Sequence, residues 1–235
     1  MILHTELKGG GEAIVFLHTG FQTAATDFIQ QQNTFMNGYR IISPDLRGHG
    51  KSATVDISNF FEDSADDLAE TLEGLGIQKT HIVGASLGAL AALSFAKRYP
   101  DKLKSLTISG VTKGMPENWL EMHQEDVKMQ AELMNNEEAL MYFNDLHGPG
   151  WTRFIEMGRS EDWYPFHETG DLSGISAPIL VIAGETSPHE VKSLMDYRAE
   201  FNNVHIATIP FAAHLVHAEQ PELYSKVLEL FLKNL

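Results

Sequence analysis

The chain contains no cysteine, so neither a disulfide framework nor a thiolate metal site is open to it. Positive charge is scarce as well: 17 lysines and arginines stand against 32 acids, a formal net charge of −15. Binding a phosphate backbone needs basic patches that displace counterions, so nucleic acid is excluded as a partner. The acidic excess reads as solubility instead. Long hydrophobic runs are missing too. The N-terminal MILHTELKGGGE has no basic stretch leading into an apolar one, and the next apolar segment, AIVFL at 13–17, is far too short for a bilayer. A cytoplasmic, unprocessed protein without membrane contact is expected. Repeats, low-complexity tracts and long charge runs are also lacking. What is there is 43% hydrophobic residues over 235 positions, enough to bury the core of one large α/β domain.

Short apolar runs alternate with longer helical patterns. Strands are expected at 2–7, 13–18, 40–43, 81–83, 103–109, 179–183 and 204–209, and helices at 60–75, 87–98, 190–201 and 219–232. In the first of those helices Phe61, Ala65, Leu68, Leu72 and Leu75 recur at three- and four-residue intervals. Such alternation implies βαβ units, and so a mainly parallel sheet with helices on both faces and ligands bound at the strands' carboxyl ends. Residues 111–176 break the pattern with helical stretches at 119–135 and 137–143. They are read as a small helical cap inserted into a core formed by 1–110 and 177–235. Met115, Met122, Met129, Met134, Met141 and Met157, with Trp119, Trp151 and Trp163, either line an apolar pocket there or pack the cap onto the core, most of them the latter.

The stretch HIVGASLGALAALSFAKRY at 81–99 carries the chemistry. Gly84-Ala85-Ser86-Leu87-Gly88 fits G-x-S-x-G between a strand end and a small-residue helix, the context of a nucleophile elbow. The Leu87 N–H, at the helix start, faces the place where a carbonyl oxygen would gain charge. A serine hydroxyl needs a base within reach. His214, in IPFAAHLVHAEQPE after the last strand, is that candidate, at the same sheet edge; His217 reads as structural, and two histidines without a third ligand make no metal site. A second oxyanion N–H is expected from the turn in AIVFLHTGF, at Gly20 or alternatively Phe21. His147-Gly148-Pro149-Gly150 repeats that string without a preceding strand and is read as coincidence.

These residues resemble the α/β-hydrolase superfamily over nearly the whole chain. Besides G-A-S-L-G, PDLRGHGKS at 44–52 looks like its D-x-R-G-x-G-x-S turn, and RYPDKLKSLTIS at 98–109, PILVIAGE at 178–185 and AAHLVHAEQPE at 212–222 are similar to its other signatures. The resemblance implies a sheet of the α/β-hydrolase type with the cap between the family's strands 6 and 7. It makes Ser86 the nucleophile, His214 the base, Leu87 and Gly20 the oxyanion donors, and Asp45 and Arg47 parts of a structural turn. One position departs. The family's acid follows its seventh strand in a pattern like G-E-x-D-P, whereas this chain reads Gly184-Glu185-Thr186-Ser187-Pro188, with Ser187 at the expected place. Losing the acid costs about 10⁴ in turnover in serine-protease templates, so a substitute is worth seeking. Glu185 is preferred over Glu190 and Glu117, and a Ser–His pair without a carboxylate stays open. Three functions follow. The first is a serine hydrolase cleaving a small ester, thioester or lactone. The second is a carbon–carbon bond hydrolase or lyase using the same pair. The third is a non-catalytic ligand-binding protein on this scaffold. A small-molecule substrate is expected and no cofactor; the sequence gives no oligomeric state.

Overall fold

Alternating apolar residues build seven strands in the computed structural model, which describes residues 1–235 with the side chain of Pro149 excepted. They are β1 (Thr5–Gly9), β2 (Glu12–Leu17), β3 (Tyr39–Pro44), β4 (Thr80–Ala85), β5 (Leu103–Ser109), β6 (Ile179–Gly184) and β7 (Val204–Ile209). They form one sheet in the order β1-β3-β2-β4-β5-β6-β7. Only β1 runs antiparallel, against β3; the other pairs are parallel. Period two decides which face each side chain joins. In β2, Ala13, Val15 and Leu17 join the larger core cluster and Ile14 and Phe16 the smaller one.

Helices cover both faces. α2 (Phe60–Gly74), α3 (Leu87–Arg98) and α8 (Pro188–Glu200) pack Leu68, Leu72, Leu90, Leu93 and Tyr197 on the larger cluster. On the other face α1 (Ile29–Phe35) and α10 (Pro221–Leu232) contribute Phe35, Tyr224 and Leu228, with the single turn α9 (Val216–Glu219) leading into α10. Between β5 and β6 lies the helical insertion: α4 (Trp119–Met134), α5 (Glu137–His147), α6 (Thr152–Gly158) and α7 (Phe166–Gly170). In this chain's own strand order the insertion thus follows the fifth strand and precedes the sixth, not the expected place between strands 6 and 7. Among the described residues no helix is long and apolar enough to cross a membrane.

Several elements differ from expectation: α6 and α7 add to the expected insertion helices, and α5 runs on to His147 rather than ending at 143. The first strand begins at Thr5 rather than residue 2, because the Leu3 N–H is taken by the Thr71 hydroxyl at 2.9 Å instead of a sheet partner. Helix α1 escapes the apolar pattern because two of its buried residues are glutamines. Gln31 Nε2 donates to the carbonyl of His217, and Gln32 Nε2 to those of Ala24 and Asp27.

Candidate active site

β4 ends at Ala85 and α3 begins at Leu87, leaving Ser86 at the corner with φ 51° and ψ −120°. A non-glycine residue there stores roughly 1–3 kcal/mol of strain, which its surroundings must hold. Ser86 N–H donates to the Ser109 carbonyl at 2.9 Å. The turn is also squeezed from both sides: a Cβ on Gly84 would strike the backbone of Gly88, and one on Gly88 would strike the carbonyls of Leu17 and His18. The G-x-S-x-G glycines are therefore required by close approach of chains.

The loop after β7 brings His214 to this corner. Its Nε2 lies 2.9 Å from Ser86 Oγ, and its Nδ1 lies 2.7 Å from Oε1 of Glu190. A carboxylate only accepts, so Nδ1 carries the hydrogen and Nε2 is free to accept from the serine hydroxyl. Burial opposes a charge on His214, but the hydrogen bond and charge of Glu190 outweigh it, with Asp126 and Glu219 adding from further off. The imidazole pKa is raised above its ordinary 6.5. Glu219 braces the loop by accepting from the N–H groups of Ala213 and Leu215 at 2.8 and 3.0 Å.

The carboxylate at His214 is thus not the one expected. Glu185 is exposed and turned to the loop backbone, accepting from Phe211 N–H at 2.9 Å. Glu117 is exposed ahead of α4. Glu190 sits at the third position of α8, one turn beyond Ser187, which precedes the helix without capping it through its side chain, with Pro188 at its start. A glutamate one turn further along, with one more methylene than aspartate, reaches the imidazole from there. The helix N-terminus favours its negative charge. The Ser187-Pro188-His189-Glu190 string has the spacing of a helix-capping box, but no such box forms: Ser187 makes no side-chain cap and Glu190 turns to His214 instead.

The turn after β2 supplies the opposite wall. Asp27 accepts from Thr19 N–H and its hydroxyl at 2.8 and 3.1 Å, from Phe28 N–H at 2.9 Å and from His217 Nε2 at 2.8 Å. Burial works against its charge, yet His217 and those N–H groups hold its carboxyl down at about 2. His217 is therefore a support of the turn, stacked on Phe28. The alternative oxyanion donor, Phe21, is engaged: its N–H points to His49 Nε2 at 3.3 Å. The N–H groups of Gly20 and Leu87 meet no protein acceptor among the described residues, and a Cβ on Gly20 would touch Leu87. The His147 string offers no second oxyanion turn, but its histidine has a structural use. His147 Nδ1 accepts from Gly50 N–H at 2.9 Å and its Nε2 donates to the Phe21 carbonyl at 3.0 Å, fastening the insertion to this turn. The D-x-R-G-x-G-x-S segment below it is structural. Asp45 accepts from the N–H groups of Ala24 and Lys51, and Arg47 pairs with Asp63 and Asp67 on α2.

Two cavities meet at Ser86, His214 and Trp163. One, about 440 Å³, lies under α4 on the Glu190 side, against Trp119, Met122, Asp126 and Tyr164. The other, about 310 Å³, lies on the Gly20 side against Gln22, Gln130, Phe154 and Met157. The family model described as the alpha/beta hydrolase fold matches residues 12–153, more than half of the chain. The chain belongs to that family. The 2-hydroxy-6-oxononadienedioate/2-hydroxy-6-oxononatrienedioate hydrolase of Burkholderia vietnamiensis is 37% identical over 51% of this chain, though the match spans only 43% of that relative. A bifunctional esterase/perhydrolase of Acinetobacter calcoaceticus is 26% identical over 94% of this chain and 92% of its own. NosK from Streptomyces actuosus shares the fold at a TM-score of 0.80 and 23% identity, over 96% and 99% of the two chains.

Within this α/β-hydrolase fold the insertion's methionines and tryptophans divide. Met122, Met157, Trp119 and Trp163 line the cavities. Trp151 is fully buried, its Nε1 donating to Asn144. Met115, Met129 and Met141 are exposed and do neither job expected of them.

Proposed function

We propose that this α/β-hydrolase-fold protein cleaves a small carboxylic ester, thioester or lactone through an acyl-enzyme on Ser86. Its carrying observation is the hydrogen-bonded chain from Ser86 through His214 to Glu190, at 2.9 and 2.7 Å. Ser86 Oγ attacks the carbonyl carbon while its proton passes to His214 Nε2. The N–H groups of Leu87 and Gly20 stabilise the oxyanion. As the tetrahedral adduct collapses, Nε2 returns the proton to the leaving oxygen or sulfur. Water then attacks the acyl carbon as it gives a proton to the same nitrogen, and collapse of the second adduct breaks the bond to Ser86 Oγ, returns that proton to Oγ and releases the carboxylic acid. Glu190 keeps the imidazole in its working tautomer and balances the imidazolium. The insertion roofs the site as a cap, and its two cavities take the two sides of the scissile bond.

A carboxylate beside His214 removes the main ground for a non-catalytic scaffold. Carbon–carbon bond cleavage with the same pair is the second reading. Its support is the relative named for an oxo-dienedioate, a dicarboxylate that calls for cations in the binding site. Neither cavity at Ser86 is lined by lysine or arginine, which favours the ester reading. The test is treatment with a fluorophosphonate probe and p-nitrophenyl acetate. Mass addition at Ser86, with labelling and turnover lost in Ser86→Ala, is expected. No labelling between pH 6 and 9 overturns the proposal.

A further inference from the structure

The larger cavity is built for a charge opposite to that of a dicarboxylate. The insertion's cations all turn away from it. Lys113 pairs with Glu200 at 2.6 Å, Arg153 pairs with Glu156 at 2.7 Å, and Lys128 and Arg159 are exposed. The wall instead carries two carboxyl groups. Glu190 is buried, with Oε1 on His214 and Oε2 meeting no hydrogen-bond partner among the described residues. Asp126 comes from the inner face of α4, where Trp119, Met122, Asp126 and Gln130 follow at helical spacing and all line the cavities. It is half-buried and nothing is hydrogen-bonded to it; burial pushes its carboxyl up, against only the longer-range pull of His123 and His214. Three aromatic side chains, Trp119, Trp163 and Tyr164, stand in the same wall, among apolar and small residues and the imidazole of His189. Trp119 is fixed by donating from Nε1 to the Glu161 carbonyl, and Tyr164 by accepting at its hydroxyl from Thr112 N–H. Trp163 closes the cavity beside Ser86. Rigid aromatic side chains with a half-buried carboxylate that has no hydrogen-bond partner among the described residues are what a cation seeks, while a carboxylate placed there would meet like charge.

We propose that Asp126, with Trp119, Trp163 and Tyr164, forms an ammonium-binding subsite. The preferred substrates then carry a positively charged amine on one side of the scissile bond, and carboxylate-bearing ones are rejected. The inference rests on the hydrolase reading above and selects its substrate class. Asp126 acts as a specificity residue, binding the substituent without touching the reacting carbonyl.

The experiment compares kcat/KM for matched pairs in which a trimethylammonium group is replaced by the isosteric tert-butyl group. One pair, the p-nitrophenyl esters of 4-trimethylammoniobutanoate and 5,5-dimethylhexanoate, puts the cation on the acyl side. The other, acetylcholine and 3,3-dimethylbutyl acetate, puts it on the alcohol side. In at least one pair the cationic member is expected to lead by tenfold or more. Asp126→Asn collapses that ratio to within about twofold of unity. Glu125→Gln, which removes the same charge from an exposed neighbour on α4, leaves the ratio in place. A ratio near or below unity in both pairs overturns the subsite, as does a preference that survives Asp126→Asn or falls equally in Glu125→Gln. If Ser86 takes the fluorophosphonate label while both ratios are flat, the subsite alone fails; if Ser86 takes no label, both proposals fall.

Discussion

A single methylene and one turn of helix separate Glu190 from the position where an aspartate was expected. The sequence placed a serine at 187, and the carboxylate that meets His214 stands three residues on. Glu190→Gln keeps the hydrogen bond's shape but removes its charge, and turnover of p-nitrophenyl acetate should fall by about 10³–10⁴. The pH profile gives a sharper readout. His214 must be neutral to act as base, and its pKa is raised above 6.5 with Glu190 among the causes. Activity is therefore lost as pH falls through that raised value, and in Glu190→Gln the acid limb should move to lower pH. An unmoved limb would mean that Glu190 does not govern the imidazole. Adding Ser187→Asp to Glu190→Gln should recover at least tenfold of the lost turnover, since it returns a carboxylate to the place the family favours. Glu185→Gln should leave the limb where it is, because Glu185 holds only the Phe211 N–H.

Elements were more legible than side-chain destinations. All seven strands and the four core helices expected from periodicity are present, because two- and 3.6-residue patterns report directly on which faces are buried. The polar α1 stayed hidden because Gln31 and Gln32 bury amides through hydrogen bonds, a long-range matter no local pattern records. At the site, Ser86 and His214 were legible from their place between elements. The roles of Glu190, His49 and His147 depend on contacts between distant segments. Two substitutions test how these elements fit. Gly88→Ala drives a methyl into the carbonyls of Leu17 and His18 at the end of β2 and should cost roughly 1–3 kcal/mol of stability with loss of probe labelling. His147→Ala removes the partner of the half-buried Gly50 N–H and Phe21 carbonyl, costing about 1 kcal/mol for each hydrogen bond lost. Chemical denaturation measures both; unchanged midpoints would count against these contacts as supports.

Across the whole molecule, acid should act in two stages. His18, His49 and His147 are buried, each ring accepting from one backbone N–H and donating to one carbonyl. Burial lowers the pKa of each below 6.5. The unfolded chain therefore takes up protons that the folded one refuses, and stability declines as pH falls below 6.5, by up to about 1.4 kcal/mol per pH unit for each ring. Asp27 adds the second stage. Its carboxyl drops from 3.8 to about 2 on folding, so its contribution is full above 3.8 and vanishes as pH falls through 2. Urea midpoints from pH 8 to 2 should show both declines, and a flat profile between pH 6.5 and 4 would refute the first. The His147 clasp also bears on how substrates come and go. The roof is buttoned, through His147 and the Phe21 carbonyl, to the turn that bears Gly20, the oxyanion donor proposed above, so a strain on the one is felt by the other. A substrate broad enough to press on the roof would therefore press on that turn as well, and releasing the clasp with His147→Ala should change KM for bulky esters more than for p-nitrophenyl acetate.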